Sequence, residues 1–389
     1  MLITTSADLA EFCAAISDAP YICVDTEFLR EKTYFAKLCL VQVAYGTHAA
    51  AIDPLSKGID MSPLRDLLLD RSIVKVLHAS TQDLEIFLDR LKEVPGPIFD
   101  TQIAASVCGL GEQPGYAKLV SSLLGIEVDK ASQATDWSLR PLTQRQLDYA
   151  LSDVTHLCQI YEKLLKTLDE TGRAGWISGE MRALEEPTRY RPDRREAWRR
   201  VRIRHPKGRT LAVLRELAAW REQAAMQRNI PRKWVARDEV LVEIAQNLPK
   251  NPKDLARVRS LKPQVARGSD GAAMLAAMRA GLECPEADHP IPPAAKRRLS
   301  GHEPLVALLQ ALLRLRCEAH GVASAVVASR SELDRIATEA EPDVPALQGW
   351  RREIFGADAL ALCAGQLALT GRAGKVVDVP LSNTDSQAE

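Results

Sequence analysis

The stretch Val24-Asp25-Thr26-Glu27-Phe28-Leu29-Arg30 decides how this 389-residue chain is read. The apolar run Tyr21–Val24 before it predicts a short buried strand ending at Asp25. Alternate residues of a strand share a face, so Asp25 and Glu27 can address one ion. Taken alone, the pair also reads as a turn acid and a solvated acid. Two more segments bear on the choice. Asp83 lies in His-Ala-Ser-Thr-Gln-Asp-Leu-Glu-Ile-Phe (78–87). There a strand over Ile73–Leu77 runs into Ser80-Thr81, a cap for a helix over Gln82–Leu91; an acid in that first turn also simply complements the helix dipole. Tyr149 and Asp153 stand four apart in a helix that a Thr143–Gln146 capping box opens and that runs to about Leu168. They share one face, one turn apart. Leu147, Ala150, Val154 and Leu157 make the surroundings apolar, so Asp153 needs a partner there. Hard divalent cations take clustered carboxylate oxygens, and two-metal phosphodiester cleavage needs several, plus a group that orients water.

Around these segments the first ~170 residues read as mixed α/β. Strands are expected over Ala36–Ala44 and His48–Ile52, with Gly46 between them in a tight antiparallel hairpin, and over Ile98–Phe99. The second half reads as helical. The expected boundaries are an α/β domain over 1–188, a basic linker over 189–209, a helical domain over 210–283, a Pro-rich linker over 284–300, a second helical domain over 301–370 and a flexible tail over 371–389. Zero net charge hides an asymmetry: residues 1–190 hold 18 basic and 27 acidic residues, and the remainder 33 and 24. The acidic half suits cations and the basic half a polyanion. The segment 189–209 alone has ten Lys or Arg against two acids, and Arg194, Arg195, Arg199 and Arg200 are its candidate phosphate contacts. Trp198 among them either stacks on a base or packs between domains. The eight cysteines form no C-x-x-C and read as reduced thiols of a cytoplasmic protein. No apolar run is long enough to span a membrane, and the N-terminus has no basic signal-peptide region.

The three acidic segments together resemble the three motifs of the DEDD 3′–5′ exonuclease superfamily, with its ribonuclease H-like fold. The tyrosine four residues before the last Asp resembles the Tyr-containing subgroup. Val-Asp-Thr-Glu-Phe-Leu-Arg, Leu-Cys-Leu-Val-Gln-Val, Phe-Asp-Thr-Gln-Ile-Ala-Ala and Thr-Asp-Trp-Ser-Leu-Arg-Pro-Leu (135–142) are similar to the ribonuclease D family. Leu211–Ala225, Asn229-Ile-Pro-Arg-Lys and Asp238-Glu-Val-Leu-Val-Glu-Ile-Ala resemble an HRDC domain, a small helical nucleic-acid-binding module. Residues 301–370, with Gly349-Trp-Arg-Arg-Glu-Ile-Phe-Gly356, are similar to a second, divergent one.

That resemblance implies an α/β ribonuclease H-like mixed sheet followed by two all-α HRDC-like modules. It implies two Mg2+ or Mn2+ ions on Asp25, Glu27, Asp83 and Asp153, with Tyr149 positioning the attacking water. The implied substrates are tRNA precursors and other small structured RNAs, with no membrane and no obligatory protein partner. Thr26 and Phe28 flank the first motif and are candidate contacts for the terminal nucleotide, Phe28 equally a core residue. His78 at a strand end reads as a site residue or a hydrogen-bonded structural one. Gln42 faces either the site or the backbone. Arg140 either clamps a phosphate or anchors the Pro141 turn. Two other readings stay open: a DNA-directed 3′–5′ exonuclease, and an inactive RNA-binding scaffold.

Overall fold

The computed structural model describes residues 1–128, 135–191, 193–204, 206–291 and 301–381. Strands β1 (Leu2–Ile3), β2 (Tyr21–Leu29), β3 (Lys37–Tyr45), β4 (His48–Ile52), β5 (Val74–Leu77) and β6 (Ile98–Asp100) form one sheet in the order β1-β4-β3-β2-β5-β6. The central strand β2 pairs antiparallel with β3 and parallel with β5, so the sheet is mixed as expected. The hairpin β3–β4 closes through Tyr45 opposite His48, with Gly46 at φ +56° supplying the left-handed turn residue. Strand β2 outlasts its expected end by four residues. Its backbone ladder to β3 continues through Asp25–Gln42 and Glu27–Leu40, because the carboxylates point off the sheet face and leave the pairing intact; the register slips between Glu27 and Phe28.

Helices cover the sheet: α1 (Ser6–Ala15), α2 (Ser62–Leu69), α3 (Thr81–Leu91), α4 (Thr101–Val107), α5 (Tyr116–Leu124), α6 (Gln144–Glu170) and α7 (Ser178–Leu184). Helix α6 opens with the predicted capping box, Thr143 and Gln146 each capping the other's backbone. Its buried stripe Ala150, Asp153, Val154, Leu157, Ile160, Tyr161 and Leu164 follows the helical period onto the sheet. Ser80 stands at the cap position of α3, but its hydroxyl donates to Asp100 Oδ2 (2.8 Å). Asp100 also accepts the amides of Ala79, Ser80, Gln102 and Ile103, so one carboxylate ties the end of β5 to the start of α4.

Three expectations need correcting. The basic linker is a built element: a 3-10 helix over Arg194–Arg200 buries Ala197 and Trp198 in the second core against Leu211, Leu214 and Leu217 of α8 (Gly208–Arg228). Trp198 is therefore a packing residue. Second, the C-terminal module is not all-α. Strands β7 (Leu367–Arg372) and β8 (Lys375–Pro380) form a hairpin where a flexible tail was expected. Its two-residue turn, Ala373-Gly374, has positive φ at both positions, and Arg316 holds Asp378 bidentately (2.7 and 3.1 Å). Residues 382–389 of the expected tail, and 292–300 of the expected Pro-rich linker, lie outside the described residues.

Third, Arg140 is an anchor. Its five N–H donors all go to protein: Asp53 Oδ1 and Oδ2 (2.6 Å each), the Cys39 carbonyl (2.7 Å) and those of Trp137 and Leu139 (2.8 Å each). None is left for a phosphate.

Both helical modules dock on the α/β domain. The Asn229 side chain, at the end of α8, accepts the amides of Tyr34 (3.1 Å) and Phe35 (3.0 Å), and the Tyr34 hydroxyl donates to Glu222. In the C-terminal module, Trp350 stacks flat on Trp176 (centroids 4.5 Å, 2° between planes) and donates to its carbonyl (3.0 Å), and Arg351 pairs with Glu180.

Because Asp53 is only 4% exposed, Arg140→Met strands a buried carboxylate. We expect it to destabilise the α/β domain by about 3 kcal/mol or more. Urea denaturation checks this, and a loss below about 1 kcal/mol would mean the pair is solvated.

Candidate active site

The sheet and α6 converge on one acidic cleft. Asp25 and Glu27 project from β2 and Asp153 from α6, with a carboxylate oxygen from each within 4.8 Å of the others. A cavity of about 200 Å³ opens over them, walled also by Thr26, His78, Tyr116, Tyr149 and Leu157. Asp83 stands outside this group of three. It is buried in the first turn of α3, where the Thr26 hydroxyl donates to it. Thr26 is thereby engaged with an acid while also lining the cavity.

None of the four carboxylates has a Lys or Arg ion-pair partner among the described residues. Their protonation reflects this. Burial, then the charge of Asp153, pushes Asp25 up to about 7. Burial, then Asp25, Asp153 and Asp83, pushes Glu27 up to about 9. Burial, then Asp25, pushes Asp83 up to about 8. Burial pushes Asp153 up to about 7 against a lowering hydrogen bond from Tyr149. Asp153 Oδ1 is buried with no hydrogen-bond partner among the described residues. Three converging carboxylates, an orphaned oxygen and no neutralising side chain fit a hard divalent cation.

Tyr149 sits one turn before Asp153 on α6, its ring 6.2 Å from that of buried Trp137. Burial, then the charge of Asp153, drives its hydroxyl well above the ordinary phenol range, so it stays protonated. His78 is held by Thr101 (Nδ1 to Oγ1, 3.0 Å), and burial lowers it, keeping the imidazole neutral. Its Nε2 is buried and unpartnered among the described residues. Gln42 is fully buried opposite Asp25 in the ladder, and neither amide atom has a partner there. Phe28 packs against the core of the α/β domain.

The structure does not bring the four arginines together at the cleft. Arg195 pairs with Glu216 (2.8 Å), and Arg199 pairs with Glu196 while lying over the Trp198 ring (4.9 Å). Of the four, only Arg194 and Arg200 are without ion pairs among the described residues.

One residue of the site escaped sequence reasoning. Tyr116, the first residue of α5, donates its hydroxyl to the Asp153 carbonyl and meets the His78 ring edge-on (5.4 Å). It fixes the α6 turn that presents Asp153. No local spacing signals it, because the hydrogen bond joins positions 37 residues apart.

Residues 1–169 match the family described as 3′-5′ exonuclease, and residues 210–278 match the HRDC domain. Ribonuclease D of Granulibacter bethesdensis is 48% identical over 371 residues, 95% of this chain and 93% of that protein. Ribonuclease D of Gluconacetobacter diazotrophicus is 44% identical over 98% of this chain and 97% of its own. The chain belongs to the ribonuclease D family. Among solved structures, that of Escherichia coli RNase D, described as an exoribonuclease involved in structured RNA processing, superposes with a TM-score of 0.79 at 32% identity, covering 94% of this chain and 98% of that one. The chain is accordingly a 3′–5′ exoribonuclease whose family depends on divalent metal, and its cleft holds an acidic cluster. No helix among the described residues is long and apolar enough to cross a membrane.

Carboxyls raised from their ordinary values make the folded, metal-free protein bind more protons than the unfolded chain between about pH 4 and 9, so stability falls as pH rises through that window. We expect the metal-free melting temperature to drop by more than about 4 °C from pH 5 to pH 9, and Mn2+ to restore most of it at the alkaline end. A flat profile without metal would contradict the crowding of these acids.

Proposed function

We propose that the enzyme trims the 3′ ends of tRNA precursors and other small structured RNAs in the cytoplasm, releasing 5′-mononucleotides one at a time. The observation that carries this reading is the Asp25–Glu27–Asp153 cluster with a protonated Tyr149 beside it. Asp25, Glu27 and Asp153 would hold one Mg2+ or Mn2+, and Asp25 with Asp83 a second. When bound, such a pair activates water and neutralises charge on the phosphate and the leaving 3′-oxygen.

The side chains divide the remaining work. A hydroxyl that stays protonated at neutral pH is a poor base, so Tyr149 orients the nucleophile by donating or accepting one hydrogen bond, a positional contribution. The Thr26 hydroxyl holds the Asp83 carboxylate, and the Tyr116 hydroxyl holds the carbonyl behind Asp153. Neutral His78, whose ring walls the cavity, would meet the terminal nucleotide without adding charge beside the acids. Arg194 and Arg200, together with the basic balance of residues 191–389, support an electrostatic hold on the RNA body. The eight cysteines are all free thiols, which suits a reducing compartment.

Asp153→Asn is expected to abolish hydrolysis while RNA binding persists, and Tyr149→Phe to lower kcat by about 10²-fold or more with KM little changed. The assay offers matched RNA and DNA oligonucleotides with Mg2+ or Mn2+ and identifies the released products by chromatography. Preferential loss of DNA, release of 3′-phosphorylated nucleotides, or near-parental turnover by Tyr149→Phe would each refute the corresponding step.

A further inference from the structure

The one tryptophan exposed to solvent among the described residues is Trp234, at 62%. It lies in the short helix α9 (Arg232–Val235), whose neighbouring Val235 is buried in a small cluster with Ala224 and Ala225. Lys233 and Arg237 flank it, both exposed and without ion pairs among the described residues. Arg237 also precedes the first turn of α10 (Asp238–Asn247), the end of a helix where a cation is least at home. An exposed aromatic face between two uncompensated cations is not what folding selects; it matches the demands of a single-stranded polyanion with bases.

Its placement is fixed relative to the cleft. Arg232, two residues before Trp234, lies over the Tyr34 ring (5.0 Å) and pairs with Glu222, while Asn229 holds the Tyr34 and Phe35 amides. Tyr34 belongs to the loop between β2 and β3, and β2 carries Asp25 and Glu27. We propose that Trp234 is a stacking platform for an unpaired base of the RNA upstream of the 3′ end, with Lys233 and Arg237 contacting the adjoining phosphates. This deepens the nuclease reading above and rests on it for the position of the 3′ end.

The test uses the full chain carrying Asp25→Asn, so that bound RNA is not consumed, and an unstructured RNA oligomer as probe. Stacking is worth about 5- to 150-fold in affinity per base, so Trp234→Ala is expected to weaken binding by that factor. Trp234→Phe should retain most of the affinity while losing the RNA-induced quenching of tryptophan fluorescence. Replacing Lys233 and Arg237 with Gln should lower the salt slope of log K by about 0.7 for each phosphate no longer neutralised. Affinity of Trp234→Ala within about twofold of its parent, or quenching unchanged in Trp234→Phe, overturns the proposal. So does sedimentation showing that Trp234→Ala loses a dimer with RNA affinity intact, since the face then serves a second copy. Hydrolysis of the same oligomer by the unsubstituted enzyme is measured alongside: binding without hydrolysis would refute the nuclease reading and leave the stacking result standing.

Discussion

Three carboxylates held within 4.8 Å of one another, with no neutralising side chain among the described residues, set the terms for the rest of the α/β domain. Left to themselves, such groups separate or take up protons, and the raised values of Asp25, Glu27, Asp83 and Asp153 record that opposition. The fold answers with rigidity. Two of the acids ride on an inner strand of a six-stranded sheet, held at their own positions by the ladder to β3, and a third on a 27-residue helix whose buried stripe locks it to that sheet. Side chains in flexible loops would let the repulsion relax. Stability forgone here is recovered in a core that includes Ile22, Val24, Val154 and Leu157 immediately beside the acids.

The same constraint explains the supporting residues. A carboxylate aimed at a cation needs its backbone fixed from behind. The Tyr116 hydroxyl on the Asp153 carbonyl does this for α6, and Thr26 holds the Asp83 carboxylate itself. Asp100 works one layer further out. It gathers four amides and a hydroxyl, so that β5 and β6 end at the same level and α3 and α4 begin there. The Arg140–Asp53 pair plays the corresponding part on the far side of β3, pinning the turn that leads into α6.

How much of this was legible depended on range in the chain. The Asp25–Glu27 spacing, the Tyr149–Asp153 turn and the capping box of α6 are local patterns, and the structure has each where the spacing puts it. Tyr116 was invisible because its partner is a backbone carbonyl chosen by tertiary packing. Arg140 was ambiguous for the same reason: an arginine's five donors announce that it will bind oxygen, and only Asp53, 87 residues away, decides whose. The basic segment misled more deeply. Counting ten cations predicts a free electrostatic track, whereas two of the four candidate arginines are engaged by Glu216 and Glu196, and Trp198 is core. The terminal hairpin did have a signal, alternation across 367–380 around an Ala-Gly turn, which the polar composition of the tail obscured.

The junction between the α/β domain and the HRDC domain turns that accounting into a statement about mechanism. The loop that docks on α8 and α9 is the direct continuation of β2, so the strand that presents Asp25 and Glu27 also carries Tyr34 into the HRDC domain. Asn229 at φ +48° closes α8 and lends its side chain to that loop, a left-handed cap put to use as an interdomain clasp. Glu222 and Arg232 are buried or half-buried and paired, with Tyr34 wedged against them, so parting the two domains would expose a charged pair and break a desolvated hydrogen-bond network at once. A clasp of that kind fixes the distance between the acidic cleft and the basic surface of the HRDC domain. An exonuclease that removes nucleotides one by one gains from such a fixed distance. On the function proposed above, the body of the RNA would be held at one place while the end is cut at another, and the number of unpaired nucleotides needed to reach the acids would be a property of the fold.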